Sequence, residues 1–423
     1  MSHGLRRAGL TGALALAVYG FGCAGAPPGA TDSAASSPMA AEAGPVTTNQ
    51  VMVTYPPAPP TIWARNTQEI ARDYRLGIVY SWTLSTLGEQ CVVFQLVHGS
   101  ARDLVRRLAS DPRVGTAQLL ETFHTESAGG PGNPGNARYS HLQHSAQTLH
   151  LDQAHRWATG KGIRVAVVDT GVDVGHPDLR GRVIKAQSFV DRGERSFTTD
   201  IHGTAVTGLI AATAGNDQGI VGVAPGAEIY ALKACWQEPP GAREAVCNSY
   251  TLAKAVDFAI SQGAQVLNFS LAGPQDPLLG RLIGHALSKG VVVVAADGGG
   301  PGRSFPASYQ GVIGILGSDD TRAGPAVPVG HGVSTLAAPS VDILTTVPHG
   351  SYDFLSGSSF AAAQVSGVAA LLLERNPKLT PPQLTAILRR TAHPLSPAAG
   401  GPIIGQVDAC AAVASLAGTG GCE

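Results

Sequence analysis

Apolar positions along the chain fall into short runs, and the rhythm of those runs changes near residue 130. Between Gln50 and Ser127 they predict strand (Val51 to Tyr55), helix (Thr67 to Arg75), strand (Gly77 to Trp82), strand (Cys91 to Val97), helix (Ala101 to Ser110) and strand (Val114 to His124). The order βαββαβ is the ferredoxin-like split unit, so a small α+β domain is expected over residues 50–127. The Gly- and Pro-rich stretch Gly129 to Asn136 denies both periodicities and predicts a linker over residues 128–138.

Beyond the linker, five apolar runs alternate with helical periodicity: Ile163 to Asp169, Glu228 to Cys235, Ala264 to Leu271, Val291 to Ala296 and Gly311 to Gly317. That pattern predicts an α/β domain over residues 139–423, in which a parallel sheet is covered by helices on both faces. The helix from Ser249 to Gln262 carries Leu252, Ala255, Val256, Ala259 and Ile260 on one face. Asp276-Pro277 and Thr380-Pro381 each open a further helix, since proline at the first helical position loses no hydrogen bond. No internal repeat is visible.

The first residues read as an export address. A basic start at Arg6 and Arg7 precedes the apolar run Leu10 to Phe21, which is too short to span a bilayer. Residues 1–22 are therefore expected to be a signal peptide and residues 23–49, rich in Ala, Pro, Ser and Gly, a flexible linker. Gly22-Cys23 is similar to a lipoprotein cleavage site, although Gly20 stands where that motif usually has Leu. Both lipidation of Cys23 and ordinary cleavage near Ala26 remain open. The expected location is outside the cytoplasm, secreted or lipid-anchored in a bacterial envelope, with a lipid on Cys23 as the sole tie to membrane.

Charge narrows the partners by exclusion. The 29 basic and 30 acidic residues nearly cancel, and no long like-charged run marks a nucleic-acid arm. Export makes cysteine pairing the default. Cys235 with Cys247 and Cys410 with Cys422 would each close a short loop, leaving Cys91 as a buried thiol in an apolar strand.

Three segments carry candidate chemistry. Asp169 ends the apolar run Val165 to Val168, at the strand end where ligands gather in a parallel sheet. By itself it is more often a turn former. His202, in Asp200-Ile-His202-Gly203-Thr204, opens a small and apolar helix in which Gly203 and Gly208 allow close packing on the sheet. Ser359, in Ser356-Gly357-Ser358-Ser359-Phe360-Ala361, begins another small-residue helix. Serine there is ordinarily a cap, but a helix N-terminus also offers free N–H groups to an oxyanion.

Together these segments resemble the subtilisin-like serine peptidases, whose acid, base and nucleophile follow in the order Asp, His, Ser. The resemblance covers about Gln143 to Arg390. It implies that Ser359 attacks a peptide carbonyl, His202 takes the proton and Asp169 orients the imidazole. It also implies a subtilisin-like three-layer domain, an endopeptidase activity on peptide or protein substrates, and a substrate-binding edge at Ser270, Leu271, Ala272 and Gly273. Many such peptidases carry a prodomain of βαββαβ form that aids folding and inhibits until cut. Here the cut would fall between about Ser127 and Ser140.

The chain departs from the family pattern at several positions. Ala205 replaces a His, Ala363 a Pro, and Ala272 a Gly at the pocket rim, which would narrow the pocket. More serious, Ala295-Ala296-Asp297-Gly298-Gly299 stands where the family has Ala-Gly-Asn, and the Asn donates to the oxyanion. The candidates for that place are Asp297 and Gly299. Asp297 either donates as a protonated acid, as one prohormone-processing member of the family does, or merely shapes the turn with its side chain in solvent. The missing Asn also leaves a second reading, a catalytically impaired peptide-binding module of the envelope. No cofactor is expected; calcium, common in the family, is not assignable to any residue. His141, His144, His150 and His155 lie close in sequence at the expected processing junction and are not read as a metal site.

Overall fold

The computed structural model describes residues 49–129, 139–190, 197–215, 219–239, 241–298, 304–318, 336–395 and 404–417. The expected signal, Cys23, nearly all of the first linker, residues 130–138, Gly299 and Cys422 lie outside these. The chain divides into two units, Met1–Ala41 and Glu42–Glu423, and everything described belongs to the second.

The first part of that unit contains β1 (Gln50–Tyr55), α1 (Pro60–Tyr74), β2 (Leu76–Leu84), β3 (Glu89–Leu96), α2 (Ala101–Ala109) and β4 (Thr116–Leu119). The strands form an antiparallel sheet in the order β2-β3-β1-β4, the ferredoxin-like order. Helix α1 starts earlier than its periodicity predicts because Pro60 opens it instead of breaking it. Both faces of β1 are buried. Val51, Val53 and Tyr55 pack with Ile70, Leu104 and Leu108 beneath the two helices, whereas Met52 joins Cys91 and Val93 against the rest of the protein. Cys91 is the buried free thiol that was expected.

The second part begins with β5 (Thr122–Thr125) and β6 (Ala128–Gly129), followed by α3 (His144–Thr148), α4 (Leu151–Ala154), β7 (Arg164–Asp169), β8 (Val183–Ser188) and α5 (Ile201–Ala211). Then come β9 (Glu228–Lys233), β10 (Cys235–Gln237), β11 (Ala245–Asn248), α6 (Ser249–Ser261), β12 (Val266–Phe269), β13 (Leu271–Ala272), α7 (Pro277–Ser288), β14 (Val292–Ala296) and β15 (Ile313–Gly317). The remaining elements are β16 (Leu336–Ala338), β17 (Ile343–Val347), β18 (Ser351–Ser356), α8 (Ser358–Arg375), α9 (Pro381–Thr391), β19 (His393–Leu395), β20 (Ile404–Gln406) and α10 (Ala409–Ala417).

Nine of these strands form the main sheet, ordered β19-β20-β16-β15-β14-β12-β7-β9-β8. All its neighbours are parallel except β19 and β20. Alternation along β7 sends Val165 and Val167 to the face under α5, α8, α9 and α10, and Ala166 and Val168 to the face under α6 and α7. The result is the expected three-layer α/β arrangement. The first part docks on α6 and α7: the Asp257 carboxylate accepts the N–H and hydroxyl of Ser85 (2.9 and 2.8 Å) and of Thr86 (2.8 and 2.5 Å). Arg281 pairs with Glu89, and Tyr80 stacks on Tyr250 at 4.5 Å.

Two sequence expectations need correction. Val114 to His124 is not one strand: β4 belongs to the small sheet, the chain then crosses at Leu120 and Glu121, and β5 lies between β11 and β13. The linker also begins with strand structure, since Ala128 and Gly129 pair with Ser356 and Leu355. Both departures arise because an extended segment has been captured by sheet edges distant in sequence, which local composition does not encode.

Candidate active site

Asp169 ends β7, and its register partner in β9 is Lys233. His202 sits in the first turn of α5 and is 1% exposed. Its Nδ1 meets Asp169 Oδ1 at 2.8 Å, and the same oxygen accepts the Thr170 N–H at 2.6 Å. This contact selects the tautomer: in the neutral imidazole the proton sits on Nδ1, facing Asp169, and Nε2 is the nitrogen able to accept. Nε2 is buried and has no hydrogen-bond partner among the described residues.

The glycines of the histidine segment are there for contact. A Cβ on Gly203 would lie 2.5 Å from the Gly171 carbonyl oxygen, and one on Gly208 would collide with Thr346. Around them runs a network that the sequence did not reveal. Thr170 Oγ1 accepts the Gly203 N–H at 2.8 Å, Thr204 Oγ1 donates to the Asp200 carbonyl at 2.6 Å, and Asp200 accepts both the Gly171 N–H (2.7 Å) and buried Lys233. Burial pushes the Asp200 carboxyl above its ordinary range, opposed by the Lys233 ammonium. One signal was available: a lysine closing an apolar strand at the same level as Asp169.

Ser359 is in the first turn of α8 and fully buried. Its hydroxyl donates to the Ser270 carbonyl at 2.7 Å, and Ser270 Oγ donates back to the Ser359 carbonyl at 2.8 Å. Asn268 fixes this exchange, donating to Ser270 Oγ at 3.0 Å and accepting from Ser366 at 2.8 Å. Phe360, the neighbour of Ser359, brings its ring within 5.8 Å of His202. Asp169, His202 and the start of α8 thus share one rim of the sheet.

Across that rim lies the chain's own residues 122–129. β5 pairs antiparallel with β11 on one side and with β13 on the other, Leu271 opposite Thr125 and Ala272 opposite His124. Glu126 then meets the nucleophile candidate: its N–H donates to Ser359 Oγ at 3.0 Å, and its carbonyl accepts the Ser359 N–H at 3.2 Å. Gly357 makes this approach possible, because its φ is +144° and a Cβ there would strike the Glu126 carbonyl and lie 2.7 Å from Ser127 Cα. The Glu126 carboxylate lies against Gly298, where a Cβ would come within 2.6 Å of it. Phe123 is fully buried beside Phe305 and over Gly273, whose Cβ would overlap the ring.

Of the four edge residues predicted to bind substrate, Leu271 and Ala272 pair with the segment and Gly273 makes room for Phe123. Ser270 instead holds Ser359. Ala272 contributes backbone pairing opposite His124. Ala205 and Ala363 are absorbed in the interiors of α5 and α8. Asp297 is 5% exposed, so the expectation that its side chain rests in solvent is overturned; its N–H donates to the Ile315 carbonyl at 2.8 Å. The histidines near the junction go separate ways, His144 to the Val341 and Asp342 carbonyls, His155 to the Val223 carbonyl and His150 to Asp408.

Comparison with known proteins agrees with this geometry. Residues 160–417 match the model of the subtilase family of peptidases. The chain belongs to the subtilase family. It is 34% identical to thermitase of Thermoactinomyces vulgaris over 266 residues, which are 62% of this chain and 92% of that protein. It is 35% identical to a thermophilic serine proteinase of Bacillus sp. strain AK1, covering 65% and 67% of the two chains. Fervidolysin of Fervidobacterium pennivorans, described as a keratinolytic enzyme related to subtilisin, superposes with a TM-score of 0.68 at 25% identity. That match covers 88% of this chain and 62% of fervidolysin. This subtilase is therefore a serine endopeptidase. Its predicted disulfide between Cys235 and Cys247 is present and ties β10 to β11, the strand flanking residues 122–125. Cys410 is also disulfide-bonded; its expected partner, Cys422, lies outside the described residues.

Proposed function

We propose that this subtilase hydrolyses peptide bonds outside the cytoplasm through Ser359, His202 and Asp169, and that it is made as a zymogen whose residues 50–126 form an inhibitory prodomain. The observation that carries the proposal is the position of Glu126. Its carbonyl rests on the Ser359 N–H while the preceding residues run as a strand between two enzyme strands, which is how a substrate must lie for attack. The export-like start of the sequence supports the location, and no helix among the described residues is long and apolar enough to cross a membrane. Cys23 as a lipid attachment point is part of the same proposal.

In this reading Ser359 rotates from the Ser270 carbonyl towards Nε2 of His202, which takes the hydroxyl proton as Oγ adds to the Glu126 carbonyl carbon. Asp169 holds the imidazole by Nδ1 and stabilises its cation. The Ser359 N–H stabilises the oxyanion. Collapse transfers the proton from His202 to the Ser127 nitrogen, the bond between Glu126 and Ser127 breaks, and water later releases Glu126 from Ser359. On the leaving side, the Ser127 hydroxyl donates to the Arg243 carbonyl at 3.3 Å and Arg243 is paired with Asp353 at 3.0 Å. Arg243 and Asp353 also line a cavity of about 730 Å³ that can receive the chain beyond the cut.

Labelling with a fluorophosphonate tests the assignment, because only an activated serine reacts. The processed wild type should label at Ser359, whereas Ser359→Ala and His202→Ala should not. Equal labelling of wild type and Ser359→Ala would refute it.

A further inference from the structure

Where β19 and β20 edge the main sheet, two imidazoles converge on one buried carboxylate. His150 Nδ1 lies 2.9 Å and His393 Nε2 2.8 Å from the same oxygen, Asp408 Oδ2. Asp408 is 3% exposed, and its other oxygen is occupied by the Ala411 N–H at 2.8 Å in the first turn of α10. That bond fixes the carboxylate so that a single oxygen faces the histidines. His150 adopts φ +53°, a left-handed conformation that a β-carbon makes costly, and so enters α4 with its ring towards Asp408. The two rings stand 6.3 Å apart at 75°.

We propose that His150 Nδ1, His393 Nε2 and Asp408 Oδ2 bind one divalent transition-metal ion of the zinc type. Two imidazole nitrogens and one monodentate carboxylate suit zinc and its neighbours, while calcium and magnesium require oxygen ligands. The three ligand atoms lie within 4.8 Å of one another. A tetrahedral ion with bonds of about 2.0–2.1 Å needs them roughly 3.3 Å apart, so each histidine has to retreat from Asp408 by about 0.5 Å and the two ring nitrogens, now within 4.8 Å of each other, have to settle at the same spacing. On binding, His150 frees Nδ1 and His393 frees Nε2 of the proton now shared with Asp408, and each neutral ring carries its proton on the opposite nitrogen, facing solvent. Both histidine side chains are partly exposed, 43% and 61%, which leaves the fourth position to water.

The three ligands come from three places in the chain. His150 precedes α4, His393 opens β19, and Asp408 caps α10, which packs on α4 and on α8, the helix that carries Ser359. A metal here fastens the C-terminal hairpin and helix to the beginning of the peptidase domain. Occupancy therefore couples to the stability of the folded enzyme and leaves the chemistry of the cleft untouched.

The test uses the full chain carrying Ser359→Ala, which removes self-digestion, with His150→Ala, His393→Ala or both added. After stripping with a chelator, zinc is titrated while bound metal and Tm are measured, and cobalt(II) is used for visible absorption. The parent should bind one zinc per chain with a rise in Tm and should give a tetrahedral cobalt spectrum. Each histidine variant should bind zinc at least about 100-fold more weakly, and calcium should produce neither effect. Zinc binding and Tm unchanged between the parent and the double variant would overturn the proposal and leave a hydrogen-bonded cluster. Neither histidine belongs to the buried core, so the variants are expected to fold, and their Tm without metal verifies it.

Discussion

The Glu126 N–H donates to Ser359 Oγ at 3.0 Å while the Ser359 N–H donates to the Glu126 carbonyl at 3.2 Å, so the two residues grip each other at the centre of the cleft. Each bond needs the backbone of residues 126–127 pressed against Gly357. A methyl group there would strike the Glu126 carbonyl. We expect Gly357→Ala to lower self-cleavage and peptide turnover by at least about 100-fold, the scale of losing an oxyanion contact. The assay is time-resolved gel analysis of freshly folded protein; a wild-type rate would contradict the geometry.

Phe123 anchors the segment upstream of the bond. It is fully buried over Gly273 and beside Phe305. Burial of a phenylalanine is worth about 1.5–3 kcal/mol, or roughly 10- to 100-fold in kcat/KM. Peptides with Phe four residues before the cut should be preferred over Ala by that factor. Gly273→Val should abolish the preference while leaving turnover of the Ala peptide within a few fold.

Asp297 is the described candidate for the second oxyanion donor, since its side chain is buried at the end of β14. If it donates, Asp297→Ala should lower kcat at least tenfold and Asp297→Asn should retain it. If the donor place belongs to residue 299, Gly299→Asn should raise kcat and Asp297→Ala should change little. Steady-state kinetics on the three variants decides between them.

Acid should loosen the part built from β1 to β4 through Asp111. The Arg113 guanidinium, bonded to it at 2.9 and 2.7 Å, lowers its carboxyl from the ordinary 3.8 to about 2. A carboxyl lowered by folding adds stability above its unfolded value and loses it as pH falls towards the folded one. Asp111→Asn should therefore cost about 1–2 kcal/mol near pH 7, allowing for solvent screening, and progressively less between about pH 4 and 2. Urea titrations of the Ser359→Ala chain at the two ends of that range measure it; an equal cost at both would contradict the assignment.

Sequence alone conveyed the parts whose chemistry is local. Asp169, His202 and Ser359 each stand at a strand end or helix start that hydrophobic periodicity locates, and the βαββαβ order follows from the same rhythm. What escaped depends on tertiary register. Glu126 is an unremarkable acid until β5 is threaded between β11 and β13, and Lys233 gains meaning only beside Asp200. His150 lies near other histidines in the chain, whereas its partners His393 and Asp408 are more than two hundred residues away, Asp408 by 258. Proximity in sequence predicts contacts within a helix or turn and says little about which loops a sheet brings together.

The most direct measurement is the N-terminal sequence of the mature enzyme after refolding of the purified wild-type chain alone, with Ser359→Ala in parallel. If Ser359 attacks the carbonyl that rests on its own N–H, the wild-type product begins at Ser127 and the variant stays joined across Glu126 and Ser127. A product beginning elsewhere, or the same product from Ser359→Ala, would contradict the account.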